Sequence, residues 1–249
     1  MSTDFQGFNV VITGAGSGIG LAVAKKLKTQ GANIFGLDLQ VGDLNGVGTW
    51  IECDIGSDES VTRAFASIAG TVSKIDVLVN NAGIGAQGGV EAATTEEWNK
   101  VLNINVIGTS RVTAAALPLL RKSTDAAIVN TCSVVATVGL PKRAIYSASK
   151  GAILSLTLAM AADLLPEKIR VNCVNPGTAE TPWIGRLLSQ AADPVKERAA
   201  LEARQPMGRL VSADEVANAI IYLAHPGQKS TTGTVLAVDG GLHSLNLPK

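Results

Sequence analysis

Tyr146 and Lys150 stand four residues apart in a stretch, 144–165, whose pattern predicts a helix. At that spacing the phenol and the ammonium share one helix face. A free phenol, with a pKa of about 10, is a poor base near neutrality. Lowering a phenol by about three units takes ~4 kcal/mol. One ammonium at about 4 Å, in an effective dielectric near 20, supplies energy of that order. The pair therefore suits exchange of a proton with a hydroxyl or carbonyl oxygen. Ser133 lies 13 residues before Tyr146, just past a predicted strand. Open parallel sheets bind ligands beyond the carboxyl ends of their strands, so Ser133 is expected to project into the same crevice.

A second constellation suits an anionic ligand. TGAGSGIG, 13–20, lies between the first predicted strand and the first predicted helix. Its glycines let the backbone approach a pyrophosphate, and the helix start offers free N–H groups and a positive dipole end. The spacing, Gly14-xxx-Gly18-x-Gly20, departs from GxGxxG, and a glycine turn kept only for packing is the plain alternative. Asp38 ends the second predicted strand, 18 residues after Gly20. A carboxylate there can accept from both ribose hydroxyls and would repel a 2′-phosphate, which points to NAD over NADP. Asp54, after the third strand, either meets adenine from the side or merely serves a turn.

The elements that must position these residues alternate along the chain. Strands are predicted at 8–13, 33–37, 50–53, 75–79, 126–131, 169–175 and 235–238. Helices are predicted at 18–30, from Ser57 to about 72, from Thr94 or Thr95 to about 120, at 144–165 and at 213–223. The stretch 178–208 is polar and reads as a loop. Alternation of this kind argues for an α/β fold, a doubly wound parallel sheet of about seven strands with helices on both faces. With no repeat or linker, 1–249 is expected to form one domain.

Composition narrows the function classes. Acidic and basic residues balance, with a formal net charge of zero, so no field of one sign recruits nucleic acid or an anionic membrane. No signal peptide is evident, and no apolar run is expected to reach the ~20 residues of a membrane span; a cytoplasmic location follows. Cys53, Cys132 and Cys173 are scattered, and the histidines are His225 and His243 alone. No disulfide framework or metal site is signalled.

Taken in order, TGAGSGIG, NNAG (80–83), Asn105, Ser133, YSASK (146–150) and NPG (175–177) resemble the short-chain dehydrogenase/reductase family, across nearly the whole chain. The resemblance implies a single Rossmann-type domain that binds NAD and interconverts a secondary alcohol and a ketone. Tyr146 would exchange the proton, Ser133 would hydrogen-bond the substrate oxygen, and Lys150 would also hold the nicotinamide ribose. Asn105 would anchor a water chain from Lys150 to solvent. The dinucleotide would cross Gly14, Ser17, Gly18, Ile19 and Gly20. Its adenosine half would meet Asp38, Asp54, Ile55 and Asn80. The dinucleotide would also meet Ala82, Gly83, Pro176 and Gly177, with Thr178 and Thr181 near the nicotinamide carboxamide. The family also implies a homotetramer, packed through helical faces near 101–120 and 152–164.

Specificity is expected in loops beyond the strand ends, above all a substrate lid at about 178–208. Arg186, Arg198 and Arg204 lie there, and Arg143 sits three residues before Tyr146. A guanidinium fork suits a carboxylate. The stretch from NPGTAETP to RQPMGRL resembles a branch of the family that includes type 2 (R)-3-hydroxybutyrate dehydrogenase and 2-keto-3-deoxy-L-fuconate dehydrogenase. In that branch arginines matching Arg143, Arg186 and Arg204 hold the substrate carboxylate. A small hydroxy acid is the implied substrate, with Trp183 closing over it or over the nicotinamide. Alternatives are a neutral sugar, a diol or acetoin, a 3-oxoacyl-carrier substrate, or a nucleotide sensor without catalysis; surface arginines and a lid-anchoring tryptophan would fit those. Tyr222 has no lysine four residues later and reads as packing.

Overall fold

The computed structural model describes residues 4–189 and 191–246. Nine strands and eight α-helices follow in order: β1 (Asn9–Thr13), α1 (Gly18–Thr29), β2 (Asn33–Asp38), β3 (Thr49–Glu52), α2 (Asp58–Ala69), β4 (Val77–Asn80), α3 (Thr95–Leu102), α4 (Gly108–Leu120), β5 (Ala127–Thr131), α5 (Ala144–Leu164), β6 (Arg170–Pro176), β7 (Ala179–Glu180), α6 (Pro182–Ser189), α7 (Pro194–Ala203), β8 (Val211–Ser212), α8 (Ala213–Ala224) and β9 (Val235–Val238).

Seven strands form one parallel sheet in the order β3-β2-β1-β4-β5-β6-β9. The direction of strand order reverses between β1 and β4, and a crevice opens there beyond the strand ends. Helices cover both faces. On one, α1 and α8 bury Leu21, Leu27, Val216 and Ile220 against Val10, Ile12 and Val77. On the other, α2, α4 and α5 bury Phe65, Val112, Leu120 and Leu164 against Val11, Leu78 and Ile128. Two-sided cover explains why β1, β4 and β6 are buried at every position.

Local chemistry sets several helix starts. Ser57 accepts from Ser60 N, Thr94 from Glu97 N, and Ser212 forms a capping box with Glu215. At the far end of α8, the buried Arg170 guanidinium donates to the carbonyls of Leu223, Ala224 and His225, satisfying oxygens the helix leaves unmet.

The structure departs from expectation in three places. The helix predicted from Thr94 to about 120 is divided by a π-helical turn, Asn103–Ile107. The stretch 178–208, read as loop, contains α6 and α7 and a two-stranded ladder, β7 with β8. Finally, Ala144–Glu167 is long and apolar enough by length and composition to cross a membrane; here it lies against β6 and carries Tyr146 and Lys150.

Candidate active site

A cavity of about 510 Å³ opens at the strand-order reversal. Its floor begins with the turn after β1. Gly14 holds φ +66°, and a Cβ on Gly20 would stand 2.2 Å from Gly14 O. The helix can start this close to the strand only without that side chain. Gly20 itself lies behind the wall, while Gly14, Ser17, Gly18 and Ile19 face the cavity. Ser17 is the N-cap residue of α1, and its hydroxyl makes no capping bond. The first-turn N–H groups and this hydroxyl suit a phosphate.

Asp38 reaches the cavity from the end of β2. One carboxylate oxygen accepts from Gly16 N at 2.9 Å, and the other is 3.4 Å from Gln40 N. Leu39, Asp54 and Ile55 complete this end. Asp54 also accepts from Gly56 N at 2.8 Å. A carboxylate held by the glycine turn itself suits the hydroxyls of a ribose.

The loop after β4 forms the middle of the wall. Asn80, expected to line the adenosine site, faces inward instead; its amide donates to Thr113 Oγ1 and Asn130 Oδ1. Successive strand residues point to opposite sides, so Asn81 takes the wall position with Ala82 and Gly83. Thr13 Oγ1 accepts from the N–H groups of both Asn81 and Ala82, at 2.9 and 3.0 Å. Asn81 Nδ2 donates to the carbonyls of Thr13 and Gly14. This clasp, absent from the sequence reading, locks the glycine turn to the β4 loop.

The other end of the cavity holds Ser133, Tyr146 and Lys150. Lys150 Nζ donates to Thr131 O at 2.8 Å and lies 5.8 Å from the centre of the Tyr146 ring. Ser133 follows β5, with extended backbone at the start of a short 3-10 turn. Asn105 is buried in the π turn, behind this end. Its Oδ1 accepts from Ile84 N at 2.8 Å; its Nδ2 donates to Ile84 O at 2.9 Å and Ser149 Oγ at 3.1 Å. A Cβ on Gly83 would stand 3.1 Å from Asn105 Oδ1 and 3.8 Å from Lys150 Nζ, so Gly83 separates the two polar groups.

Pro176, Gly177, Thr178 and Thr181 line the wall after β6. Above it lie α6 and α7. Trp183 packs against Gly85, where a Cβ would meet the indole at 2.5 Å. Arg143, Arg186 and Arg204 all face the cavity. Arg198, the fourth candidate, does not; it pairs with Glu180 at 2.7 Å and Glu202 at 2.9 Å. The other three make no ion pair among the described residues. Burial, then the like charge of Arg204, holds the Arg143 guanidinium below its ordinary pKa, while Tyr146 and Glu197 act the other way. Two like charges thus face one cavity beside a tyrosine. Tyr222, read as packing, is 48% exposed.

Comparison with known proteins follows the same lines. A family model described as enoyl-(acyl carrier protein) reductase matches residues 14–243. The cis-4-hydroxycyclohexanecarboxylate dehydrogenase of Sinomonas cyclohexanicum is 35% identical over 93% of this chain and 94% of its own length. The ligand-free aldohexose dehydrogenase of Thermoplasma acidophilum superposes with a TM-score of 0.92, at 32% identity, each chain covered in full (100%). The 3-ketoacyl-(acyl-carrier-protein) reductase of Brucella melitensis, solved with NADH, gives 0.86 at 33% identity, covering 96% of this chain and 99% of that one.

Proposed function

The chain belongs to the short-chain dehydrogenase/reductase family and is a nicotinamide-dependent oxidoreductase of CH–OH groups; on that premise we propose that it is an NAD-dependent dehydrogenase of a small hydroxy acid, such as a keto-deoxy sugar acid. The observation that carries the substrate class is the pair Arg143 and Arg204, unpaired and facing the cavity beside Tyr146. Arg186 adds a third cation at the lid. The relative that acts on a hydroxycyclohexanecarboxylate supports an acid.

NAD over NADP rests on Asp38. Its carboxylate is anchored to Gly16 and followed by Leu39, which is exposed and uncharged. A 2′-phosphate there would meet a fixed negative charge. Ser17, Gly18 and Ile19 would hold the pyrophosphate, Asp38, Asp54 and Ile55 the adenosine, and Ala82, Gly83, Pro176, Gly177, Thr178 and Thr181 the nicotinamide half.

A nicotinamide held there would supply or accept the hydride. Tyr146 moves the proton at the substrate oxygen, and Ser133 orients that oxygen by a hydrogen bond. Lys150 Nζ, fixed by Thr131 O, lies 5.8 Å from the centre of the Tyr146 ring. Asn105, across Gly83 from Lys150, would anchor a water chain that carries the proton between Lys150 and solvent. The segment 178–208 acts as the lid, with Trp183 seated on Gly85. The molecule forms a cytoplasmic homotetramer; exposed Ile107 and Leu158 on the helical faces expected to pair support this assembly, and light scattering tests it.

Steady-state assays with NAD and NADP across hydroxy acids, neutral sugars and diols test the substrate reading. It predicts NAD-linked turnover of a hydroxy acid. Preferred turnover of a neutral alcohol, or with NADP, would contradict it.

A further inference from the structure

Gln205 follows Arg204 directly, where α7 ends. Its side chain is 1% exposed, and neither its amide nitrogen nor its amide oxygen meets a hydrogen-bond partner among the described residues. Its backbone, by contrast, is engaged on both sides. The N–H donates to Glu202 O at 3.0 Å, and the C=O accepts from Gly208 N at 2.8 Å. The chain is pinned, and only the amide head is unmet.

The place of that head is specific. A Cβ on Gly177 would stand 2.5 Å from Gln205 Oε1. The amide therefore presses against the Gly177 backbone, and Gly177 and Thr178 face the cavity. Gln205 thus touches the wall segment after β6 and belongs to the same chain end as Arg204, which faces the cavity from the lid. An amide buried with both ends unbonded destabilises the state that holds it, whereas an apolar side chain of the same shape would not.

We infer that Gln205 is a positioning residue that couples the cofactor wall to the lid arginine. In the loaded enzyme its amide pairs with the Gly177–Thr178 turn, and that bond fixes Arg204 where it meets the acid. The inference rests on the reading of the cavity given above.

Gln205→Met tests it, because methionine keeps the length and volume and removes both polar atoms. Three quantities are read: the melting temperature without ligand, the shift in it produced by saturating NAD, and the kinetics with hydroxy acid and with a neutral alcohol. Unliganded Gln205→Met is expected to melt at or above the wild-type temperature, with a smaller NAD shift. At saturating NAD, KM for the acid rises about 5- to 30-fold, the range of one or two neutral hydrogen bonds, and rises more than KM for the neutral alcohol. An unchanged KM for the acid overturns the inference whatever the melting temperature, and a lower melting temperature without ligand overturns it too, since the amide would then be satisfied in the unloaded state. An insoluble Gln205→Met is replaced by Gln205→Asn, which keeps the amide but withdraws it by one methylene; an unchanged KM for the acid there overturns the inference equally. Wild-type protein that gains no stability from NAD refutes the cavity reading instead, so the two failures are distinct.

Discussion

Replacing Arg143 by methionine should weaken the acid and strengthen the fold at once. Arg143 sits at the N-cap of α5, three residues before Tyr146, with its Nη1 donating to Lys142 O at 3.0 Å. Burial and the Arg204 charge both hold its guanidinium below the ordinary value. A cation whose folded pKa is depressed fits the folded state worse than the unfolded one at every pH where it is charged. Methionine keeps the apolar stem and removes that penalty, so the ligand-free melting temperature should rise, on the scale of about 2–4 °C per kcal/mol for a chain of this size. Binding moves the opposite way. A hydrogen-bonded charge pair contributes about 1.5–3 kcal/mol, so KM for a hydroxy acid should rise ~10- to 150-fold at about 1.4 kcal/mol per tenfold. A neutral alcohol should be affected less than about threefold, within the range of an ordinary surface change. NADH absorbance and thermal melts give both readouts. Equal losses for acid and neutral substrates, or a lower melting temperature with KM unchanged, would refute the anion-receptor reasoning.

Two further outcomes concern the scaffold. Asn105→Ala should cost about 2–4 kcal/mol, because both backbone groups of Ile84 and the Ser149 hydroxyl lose their partner; an unchanged melt would show that the π turn does not depend on this side chain. Arg209 and the Ser212 N–H hold the Glu215 carboxyl down at about 2, below the ~4.3 of an unfolded chain. Its stabilisation is therefore complete above about pH 5 and lost as pH falls toward about 2. Glu215→Gln should destabilise by about 0.5–1 kcal/mol at neutral pH, a surface-pair value, with the deficit closing in acid; a deficit that persists or grows in acid contradicts the assignment.

Much of the site was legible because its signals are local. The four-residue step from Tyr146 to Lys150 and the glycine turn after β1 depend on one helix and one strand-helix junction, and the periodicity of both is plain. Features that failed to show depend on distant partners. Arg198 and Arg204 look alike in sequence, and only the fold brings Glu180 to the first and the cavity to the second. Asn80 and Asn81 differ by strand parity, which a fully buried strand does not reveal, since apolar residues occupy both its faces. The π turn at Asn103–Ile107 preserves helical character on either side, so periodicity runs through it unbroken. Of the helices within 178–208, α6 is amphipathic but only eight residues long, and α7 carries little apolar pattern, although Asp193 before Pro194 is a readable helix start: its side chain accepts from Lys196 N. Gln205 gives no sequence signal, because its interest lies in what its amide fails to meet.

Turnover of a hydroxy acid by Tyr146→Phe, measured beside wild type with NAD affinity determined separately, tests the proton role most directly. That role predicts a loss of about 100- to 10,000-fold in kcat with NAD binding unchanged. Near-normal turnover without the phenol hydroxyl would contradict it.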